Sequence, residues 1–209
     1  MRIGIIGVGN VGSALGTGWV RAGHEVMFGV RNPDDEKVQR LLSLLGTKAQ
    51  AAPVADAAKF GEVIVLATPW PAAKDAISQI GDLSGKILFD CTNPLKPSLD
   101  GLELGLDSSG GEQVAEWAKG AKVVKIFNTT GADNMAKPHY GETKLTMLYC
   151  GDDASAKETA AKLAADLGFD PVDVGPLKQS RLLEPLAMLW ISLAFGGLGR
   201  DFAFNLIRR

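Results

Sequence analysis

Three glycines at one point constrain this chain more than anything else in it. The run Ile3-Gly4-Ile5-Ile6-Gly7-Val8-Gly9-Asn10-Val11-Gly12 carries G-x-G-x-x-G at Gly7, Gly9 and Gly12. They follow a short apolar run and open an amphipathic one, the setting of a strand-to-helix turn. Gly7 permits the tight turn. Gly9 removes a Cβ where the backbone approaches a pyrophosphate, and Gly12 lets the helix pack close on its strand. Val8 lies in the loop, and Asn10 and Val11 open a helix whose first turn offers free N–H groups and a partial positive charge. The expected occupant is a dinucleotide phosphate.

The rest of the chain repeats strand and helix in alternation. Strands are expected at residues 2–6, 25–29, 48–51 (weakly), 62–67, 86–90 and 122–127, with helices at 11–21, 34–45, 71–80 and 111–119. Their four-to-six-residue apolar runs suit strands covered on both faces, so βαβ crossovers and a parallel sheet follow. Two more strands are expected at 145–150 and 171–174 around a helix at 154–167. The chain then reads as helical from about 178 to 195 and again from 200 to 207. The fold class is α/β, a doubly wound Rossmann sheet with added C-terminal strands and helices. It is expected to form a single domain over 1–209, with a helical extension at 178–209.

The end of the second strand separates NAD from NADP. NAD-binding sheets place Asp or Glu there to accept from the ribose hydroxyls. Here Val30 holds that position and Arg31 follows, with Lys37 about one helical turn on. A guanidinium suits a 2′-phosphate, because its planar fork donates paired bonds and stays charged. Asn32 reads as an N-cap, Pro33 as the first helical residue, and Asp34 and Asp35 as first-turn acids. NADP is therefore the expected cofactor.

Lys and Arg number 22 against 24 Asp and Glu, a net charge of −2, so no bulk field recruits nucleic acid or anionic lipid. Two cysteines, Cys91 and Cys150, each end an apolar run and read as buried thiols. Neither a disulfide scaffold nor a cysteine zinc site fits them. No metal-ligand cluster is evident. The uncharged apolar stretch 185–199 is shorter than the ~20 residues of a membrane span. With no signal-like segment, the expectation is a soluble, reduced, cytoplasmic protein.

Chemistry in such a sheet sits outside the C-terminal strand ends. Three loops arrive there, carrying Ala67-Thr68-Pro69, Thr92-Asn93-Pro94 and Asn128-Thr129-Thr130. Small polar residues beside rigid ones suit a carboxamide, a ribose and a flat ring. Of the two histidines, His24 is expected to be solvated at the opposite end of the sheet, and His139 to lie in a surface loop. No catalytic acid or base is assigned. Hydride transfer to a ring needs none, because proximity, stacking and exclusion of water suffice.

These motifs resemble the F420-dependent NADP oxidoreductase family, and the related cytoplasmic oxidoreductase domain of the STEAP metalloreductases. The matching residues are the Gly7–Gly12 turn, Gly29-Val30-Arg31, Thr68-Pro69-Trp70-Pro71, Cys150-Gly151-Asp152-Asp153, Gly175-Pro176-Leu177 and Ser180-Arg181-Leu182-Leu183-Glu184. The resemblance implies NADP with Gly9, Asn10 and Val11 at the pyrophosphate, Arg31 at the 2′-phosphate and Thr68-Pro69 at the nicotinamide. It also implies a deazaflavin (F420) or flavin (FMN or FAD) near residues 128–132 and the C-terminal helix. The expected function is hydride exchange between NADP(H) and such a ring. Two alternatives remain, an imine or hydroxyacid reductase and a non-catalytic NADP-sensing module. The apolar helix at 185–195 is expected to line a homodimer interface, since an all-round apolar helix does not suit a monomer's surface.

Overall fold

A computed structural model describes residues 1–209. Ten strands and eight helices follow in chain order. They begin β1 (Arg2–Ile6), α1 (Asn10–Arg21), β2 (Glu25–Gly29), α2 (Glu36–Leu45), β3 (Ala49–Ala52), α3 (Val54–Phe60), β4 (Val63–Leu66), α4 (Trp70–Ile80), β5 (Ile87–Asp90), α5 (Gly110–Trp117) and β6 (Lys122–Lys125). There follow α6 (Ala132–Ala136), the hairpin β7 (His139–Tyr140) and β8 (Thr143–Lys144), β9 (Thr146–Gly151), α7 (Ala154–Leu167), β10 (Asp170–Asp173) and α8 (Ser180–Leu193).

Eight strands form one sheet in the order β10-β9-β6-β5-β4-β1-β2-β3. All neighbours are parallel except β6 and β9, which meet antiparallel at Val124–Gly151 and Lys125–Cys150. Strand order reverses between β1 and β4, whose pairing runs from Ile3–Val63 to Ile6–Leu66. That reversal opens a crevice at the C-terminal edge.

The apolar runs are explained by burial on both faces. Val63 and Val65 of β4 belong to one core with Ile3, Ile5, Trp19 and Phe28. Ile64 and Leu66 belong to the other, with Ile6, Ala73, Ile77 and Val114. Neighbouring residues of one strand thus face different cores, so no polar alternation is left to read. Helix α3, absent from the sequence reading, fills the second core with Ala57 and Ala58.

Three sequence expectations are corrected. Helix α2 starts at Glu36, and its N-cap is Asp35 rather than Asn32: Asp35 accepts the Lys37 N–H at 2.9 Å, while Asn32 Oδ1 accepts from Asp34 N–H. Residues 200–207 are not helical. That segment is tied down in other ways: the Phe202 carbonyl accepts from Trp190 Nε1 and Asn134 Nδ2, and Asn205 Oδ1 accepts from the Thr146 N–H and hydroxyl. His24 is buried, not solvated; Nε2 lies 3.0 Å from Asp166 Oδ2 and Nδ1 lies 3.2 Å from the Met1 amine.

Helix α8 is apolar on two faces with different surroundings. Ser180, Leu183, Glu184, Ala187 and Trp190 are buried against the rest of the fold, while Leu182, Leu189 and Leu193 are exposed. With its flanking turns the helical run extends over Leu177–Leu198, 22 residues that include an 18-residue window of mean hydropathy 1.3, long and apolar enough by composition to cross a membrane. One face of it is nevertheless committed to the sheet through the buried Glu184.

Candidate functional site

The β1–α1 turn is built as the glycine spacing requires. Gly7 has φ +109°, a left-handed value that strains any side chain, and a Cβ there would stand 2.6 Å from the Ala67 carbonyl oxygen. A Cβ at Gly12 would collide with the Gly7 carbonyl oxygen. At Gly9 nothing stands within 4 Å of such a Cβ, so the backbone there faces open space. Gly9 is also the N-cap of α1 and caps it with no side chain, which leaves first-turn N–H groups free for an anion.

This turn walls one end of a cavity of about 540 Å³ at the strand-order reversal. Gly7, Val8 and Gly9 line it from the β1–α1 turn; Val30 and Arg31 from the end of β2, with Lys37 from the first turn of α2; Ala67, Thr68 and Pro69 from the end of β4. Asn10, Val11 and Gly12 follow the turn as the first residues of α1 and are not among the lining residues. Val30 is fixed by its N–H to the Ala52 carbonyl, 3.0 Å away. Asp35 also reaches the lining, but one of its oxygens is engaged in capping α2. Sequence reasoning missed the contribution of α4: Ala72, Asp75, Ala76 and Gln79 line the cavity. Their i, i+3, i+4, i+7 spacing is the stripe of one helix face, a readable signal once the face is known.

The remaining candidates lie beyond Thr68-Pro69. Asn93 and Asn128 clasp one another, Asn93 Nδ2 donating to the Asn128 carbonyl at 2.9 Å and Asn128 Nδ2 donating to Asn93 Oδ1 at 3.0 Å. Because Asn93 must present its amide nitrogen to a carbonyl, the orientation of both amides is fixed. Asn128 Oδ1 is then buried without a donor, and Thr68 Oγ1 is buried without a partner as well. Buried polar atoms are rarely left unpaired, so these two, at one sheet edge, single it out as a candidate binding place. Thr129 lies elsewhere, beside a pocket of about 140 Å³ formed with Leu145, Leu186 and Phe204. His139 is not in any of these linings; its ring packs on Gly168.

Phe127 turns the chain ahead of Asn128. Its φ is +61° although it is not glycine, and its buried ring meets Trp19 and Phe169 at centroid distances of 5.7 and 6.2 Å. A left-handed aromatic residue costs on the order of 1–3 kcal/mol and persists where packing over-determines it.

Beneath this edge lies a charge cluster that the sequence reading did not find. Lys125 is fully buried, with Nζ 2.8 Å from Asp90 Oδ2, 2.7 Å from Glu184 Oε1 and 2.7 Å from the Thr92 carbonyl. Asp90 Oδ1 accepts from the Thr92 N–H and hydroxyl, which fixes the turn that carries Asn93. Glu184 accepts the N–H groups of Gly110 and Gly111 at 2.9 Å each, the free amides that open α5. Burial pulls the Lys125 pKa down, but Asp90 and Glu184 more than offset it, so the ammonium titrates above its usual value. The motif Ser180–Glu184 is therefore a docking device. Arg181 pairs with Glu112 through two bonds, Ser180 donates to the Leu177 carbonyl, and Glu184 closes the buried cluster.

Both cysteines are free and buried. Desolvation raises both thiols, Cys91 well above its usual value and Cys150 to about 11.

Comparison with known proteins agrees with this architecture. The family model described as NADP oxidoreductase, coenzyme F420-dependent, matches residues 2–94. The chain is 33% identical to metalloreductase STEAP3 of Rattus norvegicus over 99% of its own length, and spans 42% of that protein. It is 28% identical to the F420-dependent NADP reductase of Methanocaldococcus jannaschii, with 92% of each chain covered. A solved structure from Arthrobacter sp. FB24, described as an F420-dependent NADP reductase, superposes with a TM-score of 0.91 at 32% identity and covers 100% of both chains. The likeness thus runs over the full length, and the chain belongs to the coenzyme F420-dependent NADP oxidoreductase family, a family of NADP-dependent oxidoreductases.

Proposed function

We propose that this protein transfers a hydride between NADP(H) and a ring cofactor, either the deazaflavin F420 or a flavin. The observation that carries the reading is the layout of the cavity. It runs from two cations, Arg31 and Lys37, past the uncapped start of α1 to the unpaired hydroxyl of Thr68. Arg31 and Lys37 would hold the 2′-phosphate, and the Gly7–Gly9 backbone with the first α1 amides would hold the pyrophosphate. Thr68-Pro69 would border the nicotinamide, near the clasped pair Asn93 and Asn128. The nicotinamide supplies the hydride. The chain's own residues orient it, exclude water and leave one face open, a task that needs no acid or base.

The exposed apolar face of α8 supports a second part of the proposal. Leu182 is 67% exposed, Leu189 50% and Leu193 38%. An apolar stripe of that kind is what a homodimer interface covers. A cytoplasmic setting, where NADPH and reduced thiols occur together, completes the reading.

The test is NADPH oxidation with F420, FMN, FAD and ferric chelates as separate acceptors. Turnover with a ring cofactor is the expected result. Tight NADPH binding with no acceptor turned over would instead favour a sensor.

A further inference from the structure

We propose that the buried cluster of Lys125, Asp90 and Glu184 positions the nicotinamide end of NADP(H), with Lys125 as the positioning residue that links the C-terminal helix to that end. This rests on NADP(H) occupying the groove described above. None of the three side chains lines the groove or a neighbouring cavity, so any action on the ligand passes through the chain segments they hold.

The cluster grips one turn through every polar group it has. The Thr92 N–H and hydroxyl both donate to Asp90 Oδ1, at 2.9 and 2.7 Å, and the Thr92 carbonyl accepts from Lys125 Nζ at 2.7 Å. The other Asp90 oxygen takes the same ammonium at 2.8 Å. Asn93 comes next, and its amide is spent on Asn128 at the end of β6. Lys125 stands on β6 three residues before Asn128, and the Ile126 N–H donates to the Asp90 carbonyl at 3.1 Å. The ends of β5 and β6 are thus set by the same ions. Glu184 holds the ammonium from the third side, and its own place is fixed by the Gly110 and Gly111 amides.

The turn held in this way stands at the nicotinamide end. Thr92 and Asn93 line a cavity of about 280 Å³ together with Thr68 and Pro69, and Thr68 and Pro69 also line the groove. A shift of the turn therefore moves the wall beside a nicotinamide at Thr68-Pro69. The phosphate end is independent of it: Arg31 and Lys37 lie beyond β1, at the end of β2 and the start of α2, and neither pairs with the cluster. Stability alone gives little reason for ions here, because apolar residues of similar volume often hold a core as well or better. Ions and their hydrogen bonds add direction, since each bond fixes an angle as well as a distance.

NADPH and 2′-phospho-ADP-ribose test this, because they share the phosphates and adenosine and differ by the nicotinamide. Binding of each is measured by titration calorimetry for the wild type, Lys125→Met and Glu184→Gln, with circular dichroism and Tm reporting the fold. The wild type is expected to bind NADPH more tightly than 2′-phospho-ADP-ribose. Lys125→Met should weaken NADPH by about tenfold or more, the worth of one misaligned hydrogen bond, and leave 2′-phospho-ADP-ribose within about twofold. Glu184→Gln keeps the side-chain volume and carries the test if Lys125→Met does not fold. It should weaken NADPH by about threefold or more with the same selectivity, as a charge-assisted bond becomes a neutral one. A merely structural role would lower Tm and move both ligands together or neither. Equal losses on both ligands, an unchanged NADPH affinity in a folded variant, or a wild type that binds the two ligands equally would each overturn the proposal. A wild type that binds neither ligand would instead remove the NADP(H) reading beneath it.

Discussion

Lys125 Nζ lies 2.7 Å from Glu184 Oε1 with neither side chain reaching solvent, so the C-terminal helix is pinned to the sheet by a buried ion pair. A second carboxylate, Asp90, shares the ammonium. Two carboxylates against one ammonium leave an excess negative charge, which the Gly110 and Gly111 amides at the start of α5 offset. Removing one partner strands the others in a medium that solvates them poorly. Glu184→Ala should therefore cost about 3–5 kcal/mol in urea unfolding. A loss under about 1 kcal/mol would show that water or a neighbour replaces the carboxylate. The lysine titrates above its usual value, so its stabilisation is complete at neutral pH and is lost only as pH rises through that raised value.

Arg31 should distinguish the two dinucleotides. Arg31→Ala is expected to weaken NADP by about 1.5–3 kcal/mol and NAD by much less, since only NADP carries the 2′-phosphate. Parallel titrations by fluorescence quenching check this. Equal losses would assign the guanidinium to the adenine face instead.

Acid should loosen the start of α7. Asp153 caps that helix, accepting from Ala156 N–H and the Ser155 hydroxyl and pairing with Lys122, and these contacts hold its carboxyl at about 2. A carboxyl depressed in the folded state stabilises it above the unfolded value of 3.8 and loses that contribution as pH falls towards 2. Asp153→Asn should lower Tm at neutral pH and flatten the dependence of Tm on pH across that window. Parallel Tm curves for the variant and the wild type would contradict it.

The exposed face of α8 predicts a dimer. Light scattering at micromolar concentration should give twice the chain mass of 22.0 kDa. Leu189→Arg, on the exposed face, should return the monomer without unfolding it. A wild-type monomer at that concentration would leave the stripe without the proposed partner.

The parts of the fold that were legible in the sequence are those governed locally. The run Val63–Leu66 is apolar because both its faces are buried, and Gly7 and Gly12 are fixed by backbone clashes that no other residue avoids. Arg31 and Thr68 were found from strand ends alone, because their register follows from the turn. What escaped depends on distant partners. Lys125 sits inside a strand run as an apparent exception, and only Asp90 and Glu184, far off in sequence, explain it. His24 looked like a turn residue until Asp166 of α7 met it. Residues 200–207 have helical patterning, but Trp190, Asn134 and Thr146 claim their backbone and side chains, and tertiary bonds override propensity.

The central claim is hydride transfer to a ring, and isotope transfer tests it most directly. NADPH carrying deuterium at the transferring position of C4 is mixed anaerobically with the protein and with F420 or FMN. The account predicts that NADPH and ring absorbance fall mole for mole, that the rate shows a primary isotope effect, and that reduced F420 retains the deuterium. NADPH that binds but leaves both rings oxidised, or F420 reduced without the label, would contradict it.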